Sequence, residues 1–439
     1  MRTVRIGLIG LGTVGSGVVQ ILQEQSDLIT ARVGAQLNLK RVATRHPERQ
    51  RSVVLPEGQV SKDVKQLIND PDIDIVVELM GGYEPARTYL LEAIQLGKHI
   101  VTANKALLAE HGQEIFQAAT TKGLDVGFEA SVGGGIPVIR AIREGFVANR
   151  FLSISSIING TSNYILSKMT DQGLEFNDVL KEAQALGYAE ADPTFDIEGI
   201  DAAQKLALLT SLAFGGWTSY EDIYTEGISK LTKLDIAYAR ELGYRVKLLA
   251  MAKLEDDQLD VRVHPALVEA TSWLANINGV YNAVSIHADM VGRQMLIGRG
   301  AGALPTASAV VSDLVDVARR ICYGSQENGR SSVSQLQQLS TLPRKHVNDI
   351  VCRYYLRFQV LDQPGVLAAI SGVLGAHDIS LASVIQKGRA DEHGGHVSVV
   401  MMTHEAREYS VRQALQEIER LTSVQGDTVC IRVEETDED

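Results

Sequence analysis

Four acids, Glu190, Asp192, Asp196 and Glu198, precede a helical pattern that itself carries Asp201 and Lys205, within Gly187–Lys205 (GYAEADPTFDIEGIDAAQK). Asp201 and Lys205 are four residues apart and so share a helix face. Reducing a carbonyl to an alcohol needs a hydride donor and an acid that protonates the developing alkoxide. A buried lysine, or one beside a second lysine such as Lys105, can be that acid. Carboxylates such as Glu190 and Asp201 can hold a substrate ammonium group and orient the lysine. Alone, Asp-x-x-x-Lys most often marks an exposed ion pair; the surrounding acids and glycines favour the chemical reading.

The hydride donor is suggested at the other end of the chain. Gly10-Leu-Gly12-Thr13-Val14-Gly15 follows an apolar run and opens a helical pattern, the context in which G-x-G-x-x-G cradles a dinucleotide. Gly10 suits the tight turn, Gly12 lets backbone approach a pyrophosphate, and Gly15 allows close helix–strand packing. No Asp or Glu lies between Leu28 and Pro47, where an acid would hold a ribose 2′-hydroxyl. Arg45, with Arg49 and Arg51 nearby, stands there instead and favours NADP over NAD. Two further segments combine polar side chains with turns: Val101-Thr-Ala-Asn-Lys105, and Glu129-Ala-Ser-Val132-Gly-Gly134-Gly-Ile136-Pro.

The elements that position these residues follow from periodicity. Val4–Ile9, Leu37–Thr44, Ile73–Glu78, His99–Thr102 and Leu124–Glu129 read as strands, with helices over Val14–Gln25, Glu84–Leu96 and Gln113–Thr120 between them. That alternation predicts a doubly wound parallel sheet of Rossmann type, an α/β fold. Residues 136–301 mix helices with strands at Ser153–Ile158, Asp260–Val268 and Ala283–Ala288, and a helix follows over Ala307–Arg320. A Ser- and Gln-rich stretch suits a linker, placed at 323–350. Beyond it, strands at Tyr354–Leu361, Ile379–Gln386, Val397–Thr403 and Val429–Val433 alternate with helices at Gly365–Ala376 and Ala406–Leu421. This βαββαβ order is a ferredoxin-like split unit. The acidic end, EETDED, reads as a solvated tail.

Bulk properties narrow the class. A chain of 439 residues with net charge −12 predicts two or three domains and argues against nucleic acid as a general partner. Its three cysteines, Cys322, Cys352 and Cys430, have no zinc or disulfide spacing. No signal pattern or membrane-length apolar run is evident, so a cytoplasmic protein without a membrane partner is expected.

The motifs GLGTVG, VTANK, EASVGGGIPVI, NGTSNYIL, GYAEADPTFDIEGIDAAQK and GRGAGALPTASAVVSD together span nearly all of residues 1–320. In them the chain closely resembles homoserine dehydrogenase of the long bacterial form. The resemblance implies NAD(P)-linked interconversion of L-aspartate 4-semialdehyde and L-homoserine, on the way to threonine, methionine and isoleucine. It implies Lys205 as proton donor, Lys105 between nicotinamide and substrate, and Gly187, Glu190 and Asp201 as substrate contacts with Asp196 in support. Thr13, Val14, Arg45, Lys105 and Gly302 match cofactor positions. A structural sodium or potassium ion is implied at Glu129 and the main-chain oxygens of Val132, Gly134 and Ile136.

The implied domains are a dinucleotide-binding unit at 1–135 completed by 302–322, a substrate and dimerisation unit at 136–301, and a regulatory unit at 351–435. The last resembles an ACT domain, with Asp362-Gln-Pro-Gly365 opening its first helix. It implies an amino-acid effector such as L-threonine, in a homodimer or homotetramer; a purely oligomerising module is the alternative. Two other readings compete. A phosphorylating semialdehyde dehydrogenase needs a cysteine nucleophile, and all three cysteines lie beyond the proposed catalytic segment. A non-enzymatic nucleotide and amino-acid sensor would not require the Lys/Asp/Glu cluster.

Overall fold

The structure is a computed structural model, and it describes residues 2–324, 342–387, 395–426 and 428–435. Most of the Ser/Gln-rich stretch and the last four residues of the acidic tail lie outside that range.

Six strands form the first sheet: β1 (Arg2–Ile9), β2 (Ala35–Ala43), β3 (Val60–Ser61), β4 (Ile75–Glu78), β5 (His99–Thr102) and β6 (Val126–Gly127). All neighbours are parallel, in the order β3-β2-β1-β4-β5-β6. Val4 and Ile6–Ile9 of β1 and all of β4 are buried, as a sheet covered by helices on both faces requires. The order reverses between β1 and β4, and ligands bind at that crevice, beyond the carboxyl ends of the strands. The helix after Gly302, Ala303–Tyr323, lies against this sheet. It packs on the Thr13–Glu24 helix, where a Cβ on Gly17 would stand 2.9 Å from the Ala303 carbonyl oxygen.

A second sheet of eleven strands holds the rest: β7 (Phe151–Ile157), β8 (Tyr224–Thr225), β9 (Tyr244–Glu255), β10 (Gln258–Glu269), β11 (Tyr281–Ala288), β12 (Gly292–Arg299), β13 (Val351–Leu361), β14 (Leu381–Gln386), β15 (His396–Thr403), β16 (Ala406–Arg407) and β17 (Val429–Glu434). Its path runs β12-β11-β7-β9-β10-β17-β13-β15-β14. The last four strands of that path are the antiparallel sheet of the βαββαβ unit, with helices at Val366–Ala376 and Glu408–Ile418. The unit is not simply tethered, because β17 pairs in parallel with β10 at Ala266–Val268. Residues 342–350 also follow the sheet: Leu259 N donates to Pro343 O at 2.8 Å, and Lys345 pairs with Glu255.

Several boundaries differ from expectation. The strand read over Leu124–Glu129 pairs only at Val126–Gly127, and Glu129 opens a 3-10 turn because its N–H donates to Asp313 Oδ2. The helix read from Ala406 begins at Glu408, after the short β16 pairs with β13. Strands β9 and β12 were not anticipated from the sequence.

Candidate active site

The parallel sheet delivers its switch-point loops to one cavity of about 650 Å³, shared with the middle of the chain. Lys105 enters from the end of β5. It is the first residue of the Lys105–Thr121 helix, whose N-cap Asn104 accepts from Leu107 N and donates from Nδ2 to Gly82 O at 2.7 Å. Thr102 Oγ1 donates to buried Glu78 Oε2 at 2.7 Å, and Glu78 Oε1 accepts from Met80 N. These bonds fix the two strand ends that flank the lysine.

Asp201 and Lys205 come from the Ile200–Phe214 helix, which is buried on nearly every side. Gly199 caps it at φ +81°, a conformation that side chains disfavour. Asp201 lies in its first turn, where the N-terminal dipole favours a carboxylate. Lys205 Nζ donates to Asp201 Oδ2 and to Ile158 O, each at 2.7 Å, while Lys105 Nζ stands 3.1 Å from Asp201 Oδ1. One carboxylate therefore serves both lysines. The Asp201 and Lys205 side chains are 6% and 12% exposed, so this is no surface ion pair. Burial would raise the Asp201 carboxyl, but the charges of Lys205 and Lys105 and the hydrogen bonds from Lys205 and Asn159 hold it down at about 2.

Sequence reasoning assigned no role to Asn159. Its Nδ2 donates to Asp196 Oδ1 at 2.7 Å and Asp201 Oδ2 at 2.9 Å, and its Oδ1 caps the Gly160–Gln172 helix through Ser162 N. One amide thus ties the Asp196 loop, the Asp201 helix and the NGTSNYIL segment together. Such a residue is visible in sequence only as an Asn at a helix start.

Of the expected substrate contacts, Gly187, Asp196 and Asp201 line the cavity. Glu190 does not: its side chain is exposed on the same loop, while its carbonyl accepts from Gln184 Nε2. Val14 and Gly302 also line the cavity, on the nucleotide side, and Thr13 borders an adjoining hollow.

In the glycine loop, Gly10 has φ +102°, and a Cβ there would stand 2.5 Å from Leu79 O. A Cβ on Gly15 would overlap the Gly10 carbonyl, whereas one on Gly12 would meet nothing within 4 Å. Arg45 and Arg49 line a cavity of about 400 Å³ beside Gly10 and Gly12. Arg51 lines it too, but its guanidinium is committed to the loop's own backbone: it donates to Leu11 O, Arg49 O and His46 O at 2.6 to 2.9 Å.

The Glu129–Pro137 turn lines the same cavity through Ala130, Ser131 and Val132. Glu129 is buried, and its two oxygens accept from Ile139 N and Arg140 N at 2.8 Å. Burial raises its carboxyl despite those bonds, and burial together with Glu129 pushes the neighbouring Asp313 well up. Ile136 O accepts from Val138 N; among the described residues, no hydrogen bond reaches Val132 O or Gly134 O. A buried carboxylate and two unpaired carbonyl oxygens suit a hard monovalent cation. No cluster of three or more His, Cys, Asp or Glu side chains able to hold a metal occurs among the described residues.

A dinucleotide crevice opening on a paired-lysine carboxylate cavity, with an ACT-type unit beyond it, defines a nicotinamide-dependent oxidoreductase. Known proteins narrow the class. Residues 137–315 match the family model "Homoserine dehydrogenase", residues 10–129 its "NAD binding domain", and residues 354–421 the "ACT domain". The chain is 46% identical to a homoserine dehydrogenase from Pseudomonas aeruginosa, covering 99% of this chain and 100% of that one. The crystal structure of a homoserine dehydrogenase from Thiobacillus denitrificans superposes with a TM-score of 0.93 at 46% identity, over 99% of each chain. A hyperthermophilic archaeal homoserine dehydrogenase in complex with NADPH aligns with 72% of this chain and 97% of its own, at TM-score 0.62 and 26% identity. The chain belongs to the homoserine dehydrogenase family. No described helix is long and apolar enough to cross a membrane.

Proposed function

We propose that the cavity oxidises L-homoserine and reduces L-aspartate 4-semialdehyde reversibly, with Lys205 as the proton-transferring group. The observation that carries this is the buried Asp201 carboxylate shared by Lys205 and Lys105. A nicotinamide bound at the switch point supplies or accepts the hydride. In the reducing direction a proton passes from Lys205 Nζ to the carbonyl oxygen of the substrate as it becomes an alkoxide. Asp201 holds Lys205 and Lys105 in place, Asn159 holds Asp201 and is itself anchored by Asp196, and Gly187 borders the substrate. Glu190 would reach the substrate only if its exposed loop turned inward.

NADP is the favoured nucleotide, since Arg45 and Arg49 line the cavity where a 2′-phosphate would lie and β2 ends without an acid. Gly10, Gly12, Thr13, Val14, Gly15 and Gly302 would frame its phosphates and nicotinamide. Sodium or potassium would sit at Glu129, Val132, Gly134 and Ile136 as a structural ion.

The division of labour is a nucleotide unit at 1–135 with 302–322, a substrate unit at 136–301 and a regulatory unit at 351–435. At the last, the Asp362–Gly365 turn, exposed from Gln363 to Gly365, is the place for an amino-acid effector such as L-threonine. Exposed Trp273, Tyr281 and Ile297 favour self-association through the middle unit in a cytoplasmic homo-oligomer.

The experiment is oxidation of L-homoserine by the purified chain with NADP and with NAD, each with and without millimolar L-threonine. Turnover with NADP that threonine suppresses supports both assignments. Turnover indifferent to threonine retains the enzyme and makes the C-terminal unit an assembly module or a sensor of another ligand. No turnover with either nucleotide refutes the reading.

A further inference from the structure

The helix that carries Asp201 and Lys205 begins at Gly199, which has no side chain to cap it. What holds that start is the segment Tyr224–Ile228. A Cβ on Gly199 would stand 3.1 Å from both Thr225 Cγ2 and Val263 Cγ1, so the backbone there is pressed against β8 and β10. Glu226 N donates to Val263 O and Ile228 N donates to Ile197 O, both at 2.8 Å. A Cβ on Gly227 would overlap Glu198. The segment is thus wedged against the last residues before the catalytic helix.

Its outward side is gripped by the C-terminal unit. Arg432, on β17, is buried and donates from Nη1 to Glu226 Oε2 at 3.0 Å and from Nη2 to the Tyr224 hydroxyl at 3.2 Å. The same guanidinium donates to both oxygens of buried Glu408, at 2.8 and 2.5 Å, and Glu408 also accepts from the Tyr354 hydroxyl at 2.9 Å. Arg412 Nη2 donates to the Tyr224 hydroxyl at 3.0 Å. Both guanidinium carbons lie over the Tyr224 ring, 5.0 and 5.4 Å from its centroid. Tyr224 itself donates to Glu226 Oε2.

We propose that Tyr224, Glu226 and Arg432 are positioning residues for the reaction: through them the C-terminal unit fixes the Tyr224–Ile228 segment, and that segment sets the first turn of the helix bearing Asp201 and Lys205. The inference rests on the role given to Lys205 above. Charge-assisted bonds to a buried guanidinium are strong and directional, and displacing a catalytic group by an ångström lowers rate steeply. The Glu408–Ile418 helix begins at Glu408, so any shift of that helix is carried to the active site through Arg432.

The test uses the full chain, measuring kcat and KM for L-homoserine, NADP affinity by direct binding, and Tm. Arg432→Lys keeps a cation beside Glu408 but cannot span to both Tyr224 and Glu226. Its kcat should fall about 5- to 100-fold and its Tm should drop, because a lysine cannot replace the buried guanidinium's bonds to Glu408, while NADP affinity stays within about 2-fold. Glu226→Ala, at a half-exposed position, should lower kcat similarly, and Glu226→Gln, which keeps an acceptor, should restore most of it. Wild-type kcat in both Arg432→Lys and Glu226→Ala overturns the inference. So does a loss of kcat that is matched by loss of Tm and of NADP affinity. Lys205→Ala in the same assay separates the two claims: if it is fully active, the catalytic reading fails. If it is inactive while Arg432→Lys is normal, only the positioning role fails.

Discussion

Asp201 and Lys205 form a 2.7 Å ion pair that is almost wholly withdrawn from water. Removing one member of such a pair leaves an uncompensated buried charge. Lys205→Ala should therefore lower kcat by about 10²- to 10⁴-fold and also lower Tm, with NADP binding retained, measured by nucleotide titration. Asp201→Asn should reduce kcat as well. Because the Asp201 carboxyl sits at about 2 in the fold against an ordinary 3.8, its stabilisation is complete above pH 3.8 and is lost as pH falls toward 2. Any acid limb in the activity profile above pH 4 must come from another group.

The glycine loop separates structural from ligand-facing glycines. Gly15→Ala should destabilise by about 1–3 kcal/mol, because the new methyl overlaps the Gly10 carbonyl. Gly12→Ala should leave Tm of the nucleotide-free protein unchanged, since nothing lies within 4 Å, yet weaken NADP binding. Thermal unfolding with and without nucleotide distinguishes the two.

Arg45 and Arg51 should part company in the same way. Arg45→Ala should raise KM for NADP far more than for NAD, as loss of a 2′-phosphate partner predicts. Arg51→Ala should affect both nucleotides and lower Tm, because it frees the loop carbonyls that Arg51 now binds.

His264, fully buried on β10, is held neutral: burial first, then the charges of Arg262 and Arg432, push its ring well below 6.5. The unfolded chain takes up a proton there below pH 6.5 and the folded chain does not, so this group removes stability as pH falls through 6.5. Urea unfolding at pH 5.5 and 7.5 should show a smaller loss of stability on acidification in His264→Gln than in the parent chain.

A cation at the Glu129 turn should appear as a higher Tm in sodium or potassium chloride than in choline chloride at equal ionic strength. Glu129→Gln should abolish the difference.

How much of this was legible in the sequence depended on the range of the interactions. The His99–Thr102 strand was read to the residue, because a short apolar run between turn signals has one reading. The strand Tyr244–Glu255 was not read: its Leu, Ala, Met and Lys are helix formers, and twelve backbone pairings with β10 override them. Lys205 and Asp201 were legible because they lie four residues apart, and Lys105 because it follows a strand end. Asn159 was not, since its partners lie 37 and 42 residues away. Glu190 belongs to the right motif, but its loop points it to solvent.

The three residue pairs that join β10 to β17 carry a cost for anyone who would dissect this enzyme. Cutting the chain before residue 351 would strip a neighbour from β10 and leave an unsatisfied strand edge, a ready template for intermolecular pairing. It would also uncover Arg262, which pairs with Asp260 and Glu434, and remove the second of these two carboxylates. A shortened chain that precipitates or loses activity would thus report a torn sheet and not a role of the C-terminal unit in catalysis or control. That role is better probed by point variants than by truncation.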